Sequence, residues 1–507
     1  MNPSLRLALS VAVALAVLMS FSACAQAQAQ DYFLTIGGGP TATSNEASIE
    51  SNLHYVQGLL DEAGVSQERR HVLFADGGDS SYADVQYADA ESQGTPLTET
   101  LALLHNSLQQ SRYQYRPSDV PNVAGPSNIE SIDRWFDEHA EALDGDDRLI
   151  VYFTGHGSRG TDEQPRQTTM ALWGPSQIRV AAFTERLDRL HPDVEVVLVM
   201  VQCHSGGFAD VIFQGSDPEA GLNPHRRVGF FAAPIDRMAA GCTPEIDEAN
   251  YADYSTYFFA AALGKDRLGE PVTDGDLDGD GRVSLAEAHA YVVVNADTID
   301  VPMTTSDAFL RQYSRLPESA EDEHLLDTVG NYEQLCESAE PHQLAVLEGL
   351  SETLELDRSD RIVHAREAIE AIRHERHQIG QEVGEKRKRF NQSRHHLSRD
   401  LFRRWPQLNY RWNPHVDDLL EQQGEEIYAF VQAHGAHDSI WKIHEEVMAL
   451  NDRNRALERK SAMHDRLIYT AETVALAANL PHVADEAHVA RYHQLLEMES
   501  RSLLSPR

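Results

Sequence analysis

Two short stretches carry residue types that could form and break bonds. The first, "VYFTGHGSRG" at Val151 to Gly160, ends an apolar run in His156 held between two glycines. The second, "VVLVMVQCHSGGF", ends another apolar run in Cys203, with a glycine pair shortly after. A thiol beside an imidazole is suited to acyl transfer: sulfur attacks a carbonyl, the imidazole passes a proton to the leaving amine, and water releases the acyl group. An isolated cysteine after a strand is ordinarily a small buried hydrophobe, and a histidine in a glycine-rich turn is ordinarily a turn residue. The joint pattern, each residue just past an apolar strand and flanked by glycine, favours chemistry. Exposed backbone N–H groups at Gly157 and Cys203 are then the expected oxyanion donors, since glycine lets a reacting carbonyl approach the chain closely.

A third stretch, "DLDGDGRVSLAE", has the spacing of a twelve-residue calcium loop. Asp276, Asp278 and Asp280 fall at its first, third and fifth positions, Gly281 at its sixth and Glu287 at its twelfth. Ca²⁺ takes six to eight hard oxygens: alternate aspartates point them at one centre, glycine permits the turn, and the last glutamate binds through both oxygens. The Arg282 carbonyl and Ser284 complete the expected ligand set. Only one such loop is read from the sequence, so it is expected to stiffen the domain rather than to switch it.

The elements that must position these groups alternate. "YFLTIGGG" reads as a strand, "EASIESNLHYVQGLLDEAG" as a helix, and "RHVLFADGG" as a strand. A helix "SNIESIDRWFDEHAEAL", with a Ser127-x-x-Glu130 capping box, leads into "RLIVYF"; "QIRVAAFTERLDRL" leads into "VEVVLVMV", and "RVGFFAA" follows. This is the pattern of an α/β fold with a mostly parallel sheet flanked by helices, in which catalytic groups gather at the carboxyl ends of strands. The stretch from Gly77 to Pro126 reads as a polar surface insertion. After about residue 340 the strand signal stops, and long charged helical segments predict an all-α C-terminal region of antiparallel hairpins. Its histidines, such as those of "HERHQ", lack the partners a metal site needs and read as solvated helix surface. The expected division is a signal segment over 1–29, a catalytic domain over 31–335 that includes the loop at 276–287, and a helical region over 340–507.

At His156 and Cys203 the sequence resembles the caspase-hemoglobinase superfamily of cysteine peptidases, which includes caspases, metacaspases, legumains and gingipains. The resemblance runs from about Tyr32 to Tyr313. It implies a His156–Cys203 dyad, a caspase-like domain and cleavage of protein or peptide substrates. It also points to Asn45, in the loop after the first strand, and to Asp253 and Ser255 as residues of the substrate pocket, the latter two reading equally well as turn and helix-cap residues. One departure matters: metacaspases and legumains carry an acidic residue two positions before the nucleophile, where this chain has Val201, so specificity for a basic residue or asparagine is not implied by that position. Two other functions fit the same residues, a transpeptidase or ligase that admits an amine in place of water, and an inactive calcium-binding envelope protein. Legumains carry a helical C-terminal part over the active site, which makes the helices here candidates for an autoinhibitory or partner-binding role.

Composition bounds the partners and the compartment. With 43 Lys and Arg against 80 Asp and Glu, the formal net charge of −37 disfavours nucleic acid and anionic membrane. The start, with Arg6, an apolar run from Leu7 to Phe21 and Ala-x-Ala spacing, reads as a bacterial secretory signal, or as a lipoprotein signal with Cys24 as the anchored residue. Periplasm, outer membrane or secretion follows. Cleavage leaves Cys203, Cys242 and Cys336, and in an oxidising compartment this predicts a Cys242–Cys336 bridge with Cys203 free, unless both are buried and unpaired.

Overall fold

Apolar runs that are buried on both faces form the centre of the structure, a computed structural model that describes residues 30–505 apart from 80, 89–93, 109, 243–250, 319–321, 323, 330–331, 357–358 and 411. The proposed signal segment and Cys24 lie outside the described residues. Twelve strands are described: β1 (Asp31–Gly38), β2 (Arg70–Phe74), β3 (Val85–Ala88), β4 (Tyr113–Arg116), β5 (Val123–Gly125), β6 (Arg148–Gly155), β7 (Gly157–Ser158), β8 (Thr169–Leu172), β9 (Ser176–Arg179), β10 (Glu195–Met200), β11 (Arg226–Phe231) and β12 (Met303–Thr304). Seven of them make the main sheet, in the order β12-β11-β10-β6-β1-β2-β5, parallel throughout except for β12. Every residue of β6 and β10 is buried, as strands covered on both faces require.

The strand order places the site. After β1 the chain turns outward to β2, and it later returns to lay β6 on the other side of β1, so a topological switch point falls at the carboxyl ends of β1 and β6, where an open parallel sheet leaves a crevice. The connecting helices are α1 (Ala47–Glu62), α2 (Pro96–Leu104), α3 (Ile129–His139), α4 (Val180–Leu187), α5 (Tyr254–Leu263), α6 (Leu285–Asn295) and α7 (Thr305–Tyr313). α1 packs on α5, and α5 on α6.

Two expectations need correction. The cap of α3 is Asn128, whose side chain accepts from Ser131 N at 2.9 Å, and not Ser127. Ser127 is already held through its backbone, donating to Ala75 O and accepting from Trp173 N, so it stands one residue outside the helix. The stretch from Gly77 to Pro126 is more than a surface insertion: it supplies the β3–β4 hairpin, the helix α2 and the edge strand β5 of the main sheet.

The C-terminal region is all helical: α8 (Tyr332–Ser338), α9 (Pro341–Thr353), α10 (Arg361–Arg404), α11 (Val416–Ala433), α12 (His437–Val483) and α13 (Glu486–Glu499). α10 and α12 pair along their length as an arm. The last third of the region belongs to the main core, where Leu476, Leu480, Tyr492, Leu495, Met498 and Leu503 join the sheet residues. Arg466 of α12, 1 % exposed, donates to the carbonyls of Val293 (3.1 Å), Ala296 (2.6 Å), Thr298 (3.0 Å) and Asp300 (2.7 Å). The tail then reaches the start of the sheet, with Arg148 donating to Ser502 O and Leu503 O and Ser505 N donating to Asp31. Among the described residues no helix is long and apolar enough to cross a membrane.

Candidate active site

β6 and β10 are hydrogen-bonded neighbours in parallel register, with Met200 opposite Phe153 and Val201 N donating to Phe153 O. His156 and Cys203 therefore leave the same crest side by side. Gly157 touches the cysteine directly: a Cβ there would lie 2.4 Å from Cys203 O and 2.5 Å from Gln202 Cγ, so only glycine fits. The pair after the nucleophile is also set by packing, because a Cβ on Gly206 would meet Ala233 O at 2.8 Å and one on Gly207 would meet Thr168 Oγ1 at 2.2 Å. His204, between cysteine and glycines, takes a left-handed backbone (φ 61°) and is held by Nδ1 against Ile235 O at 2.8 Å.

After β10, His204, Ser205, Gly206 and Gly207 each donate to a backbone carbonyl, while Gln202 N–H and Cys203 N–H have no such partner among the described residues. A free N–H at the nucleophile itself is what an oxyanion needs.

His156 is oriented by two groups from the loop after β1. Its Nε2 lies 2.8 Å from Ser44 O and 3.1 Å from Glu46 Oε2. A carbonyl only accepts, so Nε2 carries the proton, and in the neutral ring Nδ1 is the basic nitrogen. The Glu46 hydrogen bond outweighs burial and holds the imidazole pKa above its ordinary 6.5. Cys203 is partly buried, its Sγ 4.0 Å from Ala239 O, and desolvation pushes its thiol above the ordinary value. Burial thus disfavours the Cys203 thiolate, while Glu46 favours the charged form of the His156 ring.

Other residues singled out in the sequence are placed as follows. Asn45 is buried; its Nδ2 donates to Asp84 O at 2.9 Å and its Oδ1 accepts from Gly39 N, so it holds the loop that carries Glu46. Val201 is 7 % exposed and belongs to the core under the crest. Asp253 caps α5 by accepting from Thr256 N, and it also accepts from Asn52 Nδ2 and from Ser255 Oγ. Ser255 is buried and takes the Tyr152 hydroxyl at 2.9 Å. These two form a polar network beneath the crest. Cys242 and Cys336 are free thiols, as is Cys203, so the Cys242–Cys336 bridge expected from the cysteine count does not form. Cys242 instead stands beside His156 and Glu46. Ser44 and Glu46 escaped the sequence reading, because only the neighbouring of β1 and β6 brings their loop to the histidine; Cys242, read there only as a bridge partner, reaches it from the loop after β11.

The loop from Asp276 to Glu287 lies at the opposite end of the sheet, against the C-terminal tail, with Leu285 N donating to Arg501 O. Its backbone is wound as a calcium loop would require. Asp276 accepts from Gly279 N and Gly281 N, Asp278 from Asp280 N, and Asp280 from Arg282 N. Glycines 279 and 281 adopt φ of 77° and 86°, which β-branched or bulky residues resist. Carboxylate oxygens of Asp276, Asp278 and Glu287 lie within 4.8 Å of one another. Ser284 caps α6, while Glu287 reaches back to accept from Ser284 N.

The arm spans the crest. Asp465 of α12 pairs with Arg237, in the loop beyond β11, at 2.7 Å. At the arm's far end Leu397, Leu401, Trp405 and Ile427 pack with Leu97, Leu101 and Leu104 of α2, in the insertion that follows β2. In strand order the ends of β10, β6 and β1 fall between these two attachments. A cavity of ≈ 780 Å³ runs along the groove between α10 and α12, lined among others by Ile372, Arg376, Val383 and Asn454, and it is closed at one side by Arg237.

No protein-family model and no curated protein matches the chain. Among solved structures, that of protein GSU0716 from Geobacter sulfurreducens is similar at 10% identity, with a TM-score of 0.31, over 55% of this chain and 92% of that one. A likeness at that level supports no statement about activity.

Proposed function

We propose that the protein is a cysteine endopeptidase with His156 and Cys203 as its dyad. The observation that carries the reading is that the two residues follow the adjacent carboxyl ends of β6 and β10, with the Cys203 amide donating to no backbone carbonyl among the described residues. In the reaction, His156 Nδ1 takes the thiol proton as Sγ bonds to the scissile carbonyl carbon. The carbonyl oxygen, now an anion, accepts from Cys203 N–H and Gly157 N–H. As the tetrahedral species collapses, the C–N bond breaks and His156 returns the proton to the leaving amine. Water, deprotonated by His156, then attacks the thioester, releasing the acid and restoring the thiol. Glu46 and the Ser44 carbonyl hold the ring in register throughout.

Thiol-reactive acyloxymethyl ketone probes bearing Asp, Asn, Arg or an apolar residue test this. Labelling of the full chain that disappears in Cys203→Ala and in His156→Ala is expected, and the reactive probe names the pocket's preference. If no probe labels the protein, with the arm present or removed, the reading fails.

Calcium is proposed for the loop, held by Asp276, Asp278, Asp280 and Glu287 with the Arg282 carbonyl and Ser284. The ion would tie the loop to α6 and the tail, a strand's length from the dyad, and so act on stability. Chelation should lower the melting temperature of the wild type and leave that of Glu287→Gln unmoved; equal shifts in both would refute the site. The amino-terminal segment, read as a secretory signal, would deliver the protein to a calcium-rich compartment. The arm, tied to the molecule on both sides of the crest in strand order, is proposed as a cover that limits access to the dyad.

A further inference from the structure

Cys242 has no part in the proposed reaction, yet its position beside the dyad is fixed. Two residues before it, Ala240 N donates to Asp300 Oδ1 at 2.5 Å, and the same loop is tied to the nucleophile turn by His204 N donating to Arg237 O at 2.9 Å. The Cys242 Sγ, a His156 ring nitrogen and a Glu46 carboxylate oxygen all lie within 4.8 Å of one another. Thiol, imidazole and carboxylate together are the donor set of zinc-like ions and not of calcium or magnesium, which want oxygen alone. With Zn–N of about 2.0 Å and Zn–S of about 2.3 Å, a tetrahedral centre brings its donors to roughly 3.3–3.8 Å apart, a contraction that side-chain rotation supplies. Glu46 and His156 are already at 3.1 Å.

Charge favours the same ion. A carboxylate and a thiolate neutralise a divalent cation, so a partly buried site would hold no net charge. Burial, with the Glu46 and Asp253 charges and the Cys203 thiol adding to it, raises the Cys242 thiol well above its ordinary value. Binding therefore releases the thiol proton to solvent, and the imidazole proton too where His156 is charged.

We propose that Glu46, His156 and Cys242 form a binding site for a thiophilic divalent cation of the zinc type, with water in the fourth position, and that occupancy reversibly silences Cys203. The ion would engage the imidazole and pull Glu46 from its orienting role, so that no base remains for the nucleophile. The site itself stands without the peptidase reading; only its inhibitory consequence rests on it.

Cobalt(II), a spectroscopic stand-in for zinc, tests the site in the full chain, in reducing buffer with calcium saturating. Wild type and Cys203→Ala should both develop a near-ultraviolet thiolate-to-cobalt charge-transfer band that saturates at one equivalent and is bleached by zinc. Cys242→Ser should lose the band. Glu46→Gln should bind at least about tenfold more weakly, since loss of even an outer-sphere partner commonly has that effect. A band that survives Cys242→Ser, or that vanishes in Cys203→Ala, assigns the metal elsewhere and overturns the proposal, as does the absence of a band in excess cobalt. Should Cys242→Ser fail to fold by circular dichroism, unchanged affinity in Glu46→Gln is enough to overturn it. Probe labelling separates the two readings: a labelled protein without a cobalt band refutes the site alone, and a cobalt band in a protein that no probe labels refutes the peptidase alone. Where both hold, zinc should block labelling of Cys203 and a chelator should restore it; labelling indifferent to zinc refutes the inhibitory role.

Discussion

Glu46 shares His156 Nε2 with the Ser44 carbonyl, and its side chain is 15 % exposed, so its charge acts on the ring with little screening. Because Nδ1 must be unprotonated to take the thiol proton, activity should rise with pH as His156 loses its charge. Glu46 raises the pKa of that step above 6.5, so the acid limb of kcat/KM should lie above the ordinary histidine range. Glu46→Gln removes the carboxylate and should move the limb to lower pH, while the imidazole NMR titration shifts in the same direction. A limb that stays in place would remove Glu46 from the machinery. His156 and Cys203 were legible because each ends an apolar strand, where side chains emerge over a crest. Glu46 was not: it stands 110 residues from the histidine it orients, and the sheet order that joins them is not written in local spacing.

At the scale of elements, the apolar runs predicted the central strands and their neighbours, since only buried parallel strands demand such continuous hydrophobicity. Capping was read one residue early. Ser127 and Asn128 are both good caps by type, and the choice between them was made by tertiary contacts: the Ser127 backbone bonds to Ala75 and Trp173, which leaves Asn128 to turn its amide oxygen onto Ser131 N. Asn128→Ala should therefore destabilise α3 by about 1 kcal/mol, seen as faster hydrogen exchange across Ile129–His139. Ser127→Ala should change little, because the Ser127 hydroxyl is buried without a partner and loses no bond. The reverse ranking would restore the capping box. The edge strand β5 was hidden for a related reason: three residues of Val, Ala and Gly carry no pattern, and β2 alone makes a strand of them.

Across the whole molecule, the helical C-terminal region falls into two parts with opposite roles. The outer part, the paired lengths of α10 and α12 with α11 at the tip, touches the rest through α2 and through Arg459, which pairs with Asp297. The inner part, from about Ala462 to Ser505, completes the core and the foot of the sheet. The sequence marks both as charged helices, since Arg466 reads as a surface residue until four backbone carbonyls are found around it. Truncation near residue 330 therefore should not release an active enzyme. It would expose the core face that Leu476, Leu480, Tyr492 and Leu495 cover, strand the carbonyls held by Arg466, and yield insoluble protein. Removing only the outer arm, by joining α10 after its first turns to α12 shortly before Ala462 through a short flexible linker, leaves these contacts in place. That protein should fold with a melting temperature near the parent's and label at Cys203 faster than the full chain. Folded protein with an unchanged labelling rate would make the arm a docking element rather than a cover, and a soluble, cooperatively melting chain ending near 330 would refute the division into outer and inner parts.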